Sequence, residues 1–146
     1  MIDQITPLIL TFNEAPNIER TLDALKWAER VVVVDSFSTD NTVALCKTYP
    51  NVSVVQRVFD NHTAQWNFGL EQAKDSQWVL ALDADHVVSP DYVAELRGVD
   101  ATNMNGYRNG FIYYQDGSPL RGSLYPPLVA LFRPAAVFSS RRRHTR

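Results

Sequence analysis

The sequence has one cysteine and no long apolar run, and each shortage excludes a class of protein. Cys46 is the single cysteine among 146 residues, so an internal disulfide is excluded and a reducing compartment is expected. No stretch approaches the roughly 20 apolar residues that cross a bilayer, and the N-terminus lacks the basic and apolar regions of a secretory signal. We therefore expect a cytoplasmic protein, with peripheral association at the inner face of the membrane left open and the oligomeric state unknown.

Basic charge is scarce outside the C-terminus. The net charge is -2, but Arg141, Arg142, Arg143 and Arg146 supply four of the fourteen basic residues. The remaining chain carries ten basic against sixteen acidic side chains, a net charge of -6, which argues against a nucleic-acid partner. We expect residues 139–146 to be a disordered or non-native basic tail, and residues 1–138 to form the domain.

Two common phosphate-binding patterns are also missing, since neither a P-loop nor GxGxxG occurs, and this argues against a kinase or a dehydrogenase. Instead, five apolar residues from Trp78 to Leu82 run directly into Asp83 and Asp85. A short apolar run of this kind predicts a buried strand. If the backbone stays extended through Ala84, both carboxylates point to the same side and suit Mg²⁺ or Mn²⁺; the alternative is that either acid caps a turn.

Short aliphatic runs alternate with polar turns and helical spacing over the first hundred residues. The runs at 8–10, 31–34, 52–55 and 78–82 predict parallel strands joined by crossover helices, hence an α/β fold with a mostly parallel central sheet. In the second helix, Val43, Ala44 and Tyr49 are expected to face inward and Cys46 to pack in the core. After residue 105, glycine and aromatic residues predict antiparallel hairpins, with a turn at Asp116-Gly117.

Acidic residues follow three of the predicted strands. Glu14 follows the first strand, Asp35 the second, and Asp83 with Asp85 the fourth. Because ligands of α/β sheets bind beyond the carboxyl ends of the strands, we expect these groups to share one edge. They can bind the hydroxyls or base of a nucleotide, while a divalent cation bridges its phosphates.

Three ordered motifs carry a resemblance to a known family. They read LTFNEAPNIERTL, VVVVDSFSTDNTV and WVLALDADHVVSPDYV. Together they resemble the inverting family 2 glycosyltransferases with the GT-A fold, a Rossmann-like three-layer sandwich, and most of all the bacterial enzymes that build lipopolysaccharide core and other envelope glycans. The likeness covers about residues 5 to 133; it implies a donor-binding half at about 5–100 and the start of an acceptor half at 105–138.

The resemblance implies roles for the nucleotide-binding residues. Thr11, Asn13 and Glu14 match the first nucleotide-binding loop, and Asp35 matches the acid that hydrogen-bonds the nucleobase. Ser36 and Asp40 would shape the implied pocket. Gln65 and Asn67 lie on a helix that commonly approaches the sugar donor. For this last pair, simple surface exposure is an equal alternative.

The resemblance also implies a metal site. Asp83 would contact the ribose or a metal-bound water, and Asp85 would ligate Mn²⁺ or Mg²⁺ on the donor diphosphate. His86 is more simply a neighbour of this site than a ligand.

The implied reaction transfers a sugar from a nucleoside-diphosphate sugar to a hydroxyl of a glycan or lipid-linked acceptor. Family members use an Asp or Glu base well downstream of the DAD motif, where this chain turns into SSRRRHTR. Asp116 is the only acid after Asp100, and its Asp-Gly context predicts a turn. We therefore expect the catalytic base to lie outside these 146 residues, beyond residue 138 in family order.

Two alternatives remain. A sugar nucleotidyltransferase has a similar sheet and metal carboxylates but usually begins with a glycine-rich basic loop, which the first motif lacks. A non-catalytic nucleotide-sugar-binding domain would use the aromatic segment from Tyr107 to Tyr125 to bind a glycan or a protein, although packing in the core and in hairpins is the simpler explanation of such residues.

Overall fold

The computed structural model describes residues 1–121 and 126–137, so the basic tail and the Tyr125 end of the aromatic segment lie outside the described residues. A 3-10 turn at Ile2–Gln4 precedes the regular elements. In chain order these are β1 (Ile5–Thr11), α1 (Ala15–Asp23), β2 (Val31–Asp35), α2 (Thr42–Cys46), β3 (Val52–Gln56), α3 (His62–Gln72), β4 (Trp78–Asp83), α4 (Pro90–Gly98), β5 (Gly106–Asn109), β6 (Tyr114–Gln115), β7 (Ser118–Pro119) and β8 (Leu128–Phe132).

A six-stranded sheet organises the fold in the order β3-β2-β1-β4-β8-β5. Strands β1 to β4 are mutually parallel, whereas β8 runs antiparallel to both β4 and β5. The predicted α/β class with a mostly parallel sheet is thus confirmed. Among the described residues, no helix has the length and apolar character that a bilayer span requires.

The valine run of β2 shows why the sheet has helices on both faces. Val31 and Val33 pack in one buried cluster with Ile18 and Leu22 of α1. Val32 and Val34 pack in a second cluster with Leu70 of α3. Because successive side chains of a strand point to opposite faces, an all-apolar run needs a cover on each side, and this arrangement is a three-layer sandwich.

Helix α3 lies especially close to the sheet. A Cβ on Gly69 would lie 2.8 Å from Cδ1 of Leu8, a side chain that is itself fully buried. Glycine therefore permits the short distance between this helix and β1.

Two helices begin as predicted, and one turns a different face inward. Proline occupies the first turn of both α1 and α4, and Ser89 caps α4 by accepting from the Tyr92 amide. In α2, however, the buried residues are Thr42 and Cys46, while Ala44 is exposed. The expectation for Ala44 was wrong because this helix is barely one turn long, so it buries a single i, i+4 pair. Burial of Cys46, helped by the charge of Asp35, raises the pKa of its thiol to about 11.

The antiparallel strands and hairpins predicted after residue 105 are confirmed. Strands β6 and β7 form a hairpin, and its turn residues Asp116 and Gly117 have φ of 50° and 78°. Two consecutive positive φ values are typical of the two-residue turn that suits a twisted hairpin. Asp116 therefore occupies the turn that its Asp-Gly context predicts.

Candidate functional site

The carboxyl ends of β1, β2 and β4 lie side by side. In the register of the parallel pairs, Thr11 is opposite Asp35 and Leu10 is opposite Asp83. Neighbouring strands lie about 4.8 Å apart, so these strand ends, which we call outlets, lie close together at a single edge of the sheet. The predicted convergence of the acidic loops is confirmed.

Asp35 is the most enclosed acid at this edge. Its side chain is 0% exposed. One carboxylate oxygen accepts from the Thr11 hydroxyl at 3.0 Å and from the Ser38 hydroxyl, and the other accepts from the Ser38 amide at 2.9 Å and from Gln56 Nε2 at 3.1 Å. Four donors satisfy a buried carboxylate that would otherwise be costly to remove from water. Its predicted contact with a nucleobase remains a prediction.

Asn13 joins the loops that follow β1 and β2. Its amide donates to Ser38 Oγ at 2.8 Å, and its side-chain oxygen accepts from the Thr39 amide at 2.8 Å. Asn13 adopts φ of 52°, a left-handed conformation that asparagine tolerates better than most residues. This residue therefore holds the two loops together at this edge of the sheet.

Asp40 and Glu14 anchor the first turns of the helices that follow these loops. Asp40 accepts from the amides of Ala15 at 3.2 Å and Thr42 at 2.9 Å. The hydrogen bond from the Thr42 hydroxyl, followed by those from the backbone, lowers the pKa of Asp40. Glu14 precedes α1; its amide donates to Thr42 Oγ1 at 2.9 Å, and its carboxylate accepts from Asn17 Nδ2 at 3.0 Å. The predicted ligand contacts of both acids remain predictions.

Asp83 is the last residue of β4, and Asp85 lies in the turn that follows it. The His86 amide donates to the Asp83 carbonyl at 3.0 Å, and the Ala84 carbonyl accepts from the Thr21 hydroxyl at 2.6 Å. The condition under which both carboxylates would point to the same side, an extended backbone through Ala84, is not met, because residues 84 and 85 form a turn and the buried alanine is fixed against α1. Both aspartate side chains are nevertheless exposed, Asp83 by 65%.

These aspartates fit the ligand set of a hard divalent cation. No lysine or arginine among the described residues pairs with either carboxylate. The described part of the chain contains no group of three or more potential metal-ligating side chains, so protein ligands supply only part of a coordination shell. A cation held by two carboxylates retains positions for phosphate oxygens and water, as is usual for Mg²⁺ sites on nucleotides.

His86 is oriented by its neighbours. Its Nδ1 accepts from the Asp83 amide at 3.1 Å, and its Nε2 lies 3.7 Å from Asp83 Oδ2. The ring also lies on Phe111, with centroids 4.8 Å apart. Because Nδ1 is an acceptor here, a neutral ring carries its proton on Nε2.

The two residues predicted on α3 differ from each other in burial. Gln65 is 0% exposed, so the alternative of simple surface exposure is wrong for it. Its side chain contacts Ser36 and Arg57. Asn67 is half-buried. Direct contact of either residue with a donor remains a prediction.

Sequence reasoning missed two exposed aromatic rings at this edge. Phe12 is 57% exposed and Phe37 is 50% exposed. Phe37 also has φ of 61°, a conformation that is uncommon for a bulky residue and often marks a functional site. Each phenylalanine directly follows a polar strand outlet, and an apolar ring in that position was the signal available in the sequence.

The fold and the order of these loops match known glycosyltransferases. A family model described as Glycosyl transferase family 2 matches residues 8–127. An uncharacterized glycosyltransferase of Rickettsia bellii is 34% identical over 100 residues, which are 68% of this chain and 33% of the relative. The lipopolysaccharide core biosynthesis glycosyltransferase LpsC of Rhizobium meliloti is 28% identical over 85 residues, 56% of this chain and 31% of the relative. The chain thus spans about a third of the length of these relatives.

Two solved structures show the same architecture. S. aureus TarS in complex with UDP-GlcNAc has a TM-score of 0.57 and 25% identity, over 64% of this chain and 30% of that chain. The mannosyltransferase PcManGT from Pyrobaculum calidifontis, in complex with GDP-Man and Mn²⁺, has a TM-score of 0.50 and 31% identity, over 57% of this chain and 28% of that chain. With three motif loops at one edge of a mostly parallel sheet and a family match over residues 8–127, the chain belongs to glycosyltransferase family 2 and has the GT-A fold.

Proposed function

We propose that this chain is the donor-binding part of a glycosyltransferase that transfers a sugar, with inversion, from a nucleoside-diphosphate sugar to an acceptor hydroxyl. The observation that carries the proposal is the adjacent register of Thr11, Asp35 and Asp83 at one sheet edge. Two similar structures hold UDP-GlcNAc, or GDP-Man with Mn²⁺, and these ligands support a nucleotide-sugar donor here.

The base of the nucleotide has a matching surface beside the β1 and β2 outlets. Phe12 and Phe37 expose flat apolar rings there, and the partly exposed polar side chain of Ser36 directly precedes Phe37. A nucleobase has the same combination of an apolar face and polar edges, and aromatic rings favour offset stacking or edge contacts with such faces. We therefore place the nucleoside at β1 and β2 and the diphosphate toward β4.

Asp83 and Asp85 would hold Mn²⁺ or Mg²⁺ in this arrangement, because both offer exposed carboxylate oxygens without a lysine or arginine partner among the described residues. The bound cation would stabilise the negative charge that develops on the departing diphosphate. Asp83 orients His86 through its amide, so the turn that carries both acids is held in one shape.

The catalytic base and the acceptor site belong, in this proposal, to a longer protein. Asp116, the only acid after Asp100, lies in the hairpin turn between β6 and β7, which supports a base beyond residue 138. The similarity to the lipopolysaccharide core biosynthesis glycosyltransferase LpsC supports a glycan or lipid-linked acceptor of bacterial envelope synthesis. In this proposal the reaction takes place in the cytoplasm or at the inner face of the membrane.

Calorimetric titration with UDP and GDP tests donor binding. We expect one of the two nucleotides to bind in the presence of Mn²⁺ and to lose about tenfold or more in affinity when EDTA replaces the metal. Asp85→Ala should show the same weakened affinity with and without Mn²⁺. This result would assign the metal effect to the acids after β4.

The matched control is Asp75→Ala, which removes an exposed acid that precedes β4 and so lies near the opposite end of that strand. Its affinity should equal that of the unmodified chain. No binding of either nucleotide, or equal losses in the two variants, would contradict the proposal. Release of pyrophosphate from sugar 1-phosphate and a nucleoside triphosphate would instead favour a nucleotidyltransferase.

A further inference from the structure

Gln65 is a polar side chain enclosed completely within the protein. It lies in the first turn of α3 and is 0% exposed. Its Nε2 lies 3.1 Å from Ser36 Oγ and 3.2 Å from the Arg57 carbonyl oxygen, and its Oε1 lies 2.9 Å from Arg57 Nη1. The side chain therefore connects the outlet of β2 with the outlet of β3.

The chemistry of Arg57 fixes the orientation of the Gln65 amide. A guanidinium has only donors, so the atom that faces it must be the amide oxygen. A carbonyl only accepts, so the atom that faces the Arg57 carbonyl must be the amide nitrogen. The guanidinium itself is held by Asp60, at 2.8 Å and 3.2 Å, and this ion pair lowers the pKa of Asp60 to about 2.

This orientation determines whether the Ser36 hydroxyl donates or accepts in its hydrogen bond with Gln65. Because Gln65 Nε2 donates to it, the hydroxyl oxygen is an acceptor in this contact and its proton points elsewhere. Within the part of the chain that the structure describes, the Ser36 hydroxyl donates to no acceptor. Ser36 is partly exposed at the edge where we place the nucleoside, whereas the adjacent Asp35 carboxylate is enclosed and has four donors.

We propose that Gln65 is a positioning residue that presents the Ser36 hydroxyl as a hydrogen-bond donor to an acceptor oxygen of the bound nucleoside. The inference rests on the proposed function and refines it. At the β2 outlet, the Ser36 hydroxyl hydrogen-bonds the nucleotide, and Gln65 of α3 fixes the orientation of that hydroxyl. In this role Gln65 acts through Ser36 and needs no contact of its own with the ligand.

A double-mutant cycle in the full 146-residue chain tests this role. Gln65→Glu keeps the size of the side chain but replaces the donating nitrogen by an accepting oxygen, so the Ser36 proton turns toward the new carboxylate. We expect Gln65→Glu and Ser36→Ala each to weaken binding of the preferred nucleotide, UDP or GDP with Mn²⁺, about three- to tenfold. The double variant should bind no more weakly than Ser36→Ala alone.

Gln72→Glu is the matched control, since it makes the same chemical change on the same helix, and its affinity should be unchanged. Gln65→Met, which removes the amide without adding charge, is the second variant if Gln65→Glu fails to fold. Its loss should likewise disappear in the Ser36→Ala background. Thermal unfolding of every variant measures any structural effect separately.

The Gln65 substitution could weaken nucleotide binding by the same factor in the unmodified chain and in the Ser36→Ala background. That result would show a merely structural role for Gln65 and would overturn this inference alone. Unchanged affinity in Gln65→Glu would also overturn it. Failure of the unmodified chain to bind either nucleotide would overturn the proposed function as well, so the two failures are distinguishable.

Discussion

The outlet of β2 and the outlet of β4 carry the same kind of residue at the same edge of the sheet, but their acids have opposite surroundings. Asp35 is 0% exposed and accepts from four donors. Asp83 and Asp85 are exposed and have no lysine or arginine partner among the described residues. The comparison teaches that the acid of the β2 outlet is used to hold its own loop together, while the acids of the β4 outlet leave their carboxylates accessible to a ligand.

The largest effect should come from breaking the β2 outlet. Asp35→Ala leaves Thr11, Ser38 and Gln56 without their shared acceptor, and we expect it to lower the free energy of unfolding by about 2–4 kcal/mol. Urea denaturation followed by circular dichroism measures this loss. A change below about 0.5 kcal/mol would show that the network contributes no stability.

A smaller effect, dependent on pH, should arise at Asp40 in the same loop. Its folded-state pKa lies below the ordinary value because the Thr42 hydroxyl and nearby backbone amides donate to it. A lowered folded pKa stabilises the protein at a pH above the unfolded-state value, and this contribution is lost as the pH falls through the folded value.

Asp40→Asn should therefore reduce the difference in unfolding free energy between pH 7 and pH 3. Denaturation curves at the two values measure that difference. A variant with the same pH dependence as the unmodified chain would refute the assignment to Asp40.

The smallest effect on stability is expected at the β4 outlet. Asp85→Ala removes an exposed side chain that has no ion-pair partner in the described regions, so its free energy of unfolding should remain within about 0.5 kcal/mol of the unmodified value. The same urea experiment applies. A loss of unfolding free energy as large as that of Asp35→Ala would contradict the difference between the two outlets.

The alternation of strands and helices was predictable because it depends on local patterns. The valine run of β2 predicts a strand covered on both faces, and Ser89-Pro90 predicts the start of α4. The Asp116-Gly117 turn was predictable for the same reason, since few residues tolerate its φ values. The family motifs added the order of the loops and hence their convergence.

The surroundings of each acid were not predictable, because they depend on groups distant in the chain. The donors to Asp35 include Gln56, which is 21 positions away, and the bond that fixes Ala84 comes from Thr21, 63 positions away. The orientation of the Gln65 amide likewise requires the Ser36 and Arg57 contacts. A single sequence shows which residues are acidic or polar but does not show how many donors surround them.

Strand β8 has a consequence for how the chain is synthesised. It lies beside β4, although residues 84–127 separate the two strands along the chain, and only after β8 pairs does β4 become an interior strand. A nascent polypeptide that has left the ribosome only as far as α4 therefore exposes the open side of β4, and such an edge readily pairs with another chain. Val79 and Leu80 of β4 thus gain their second neighbouring strand late in translation, once Leu131 and Phe132 have emerged.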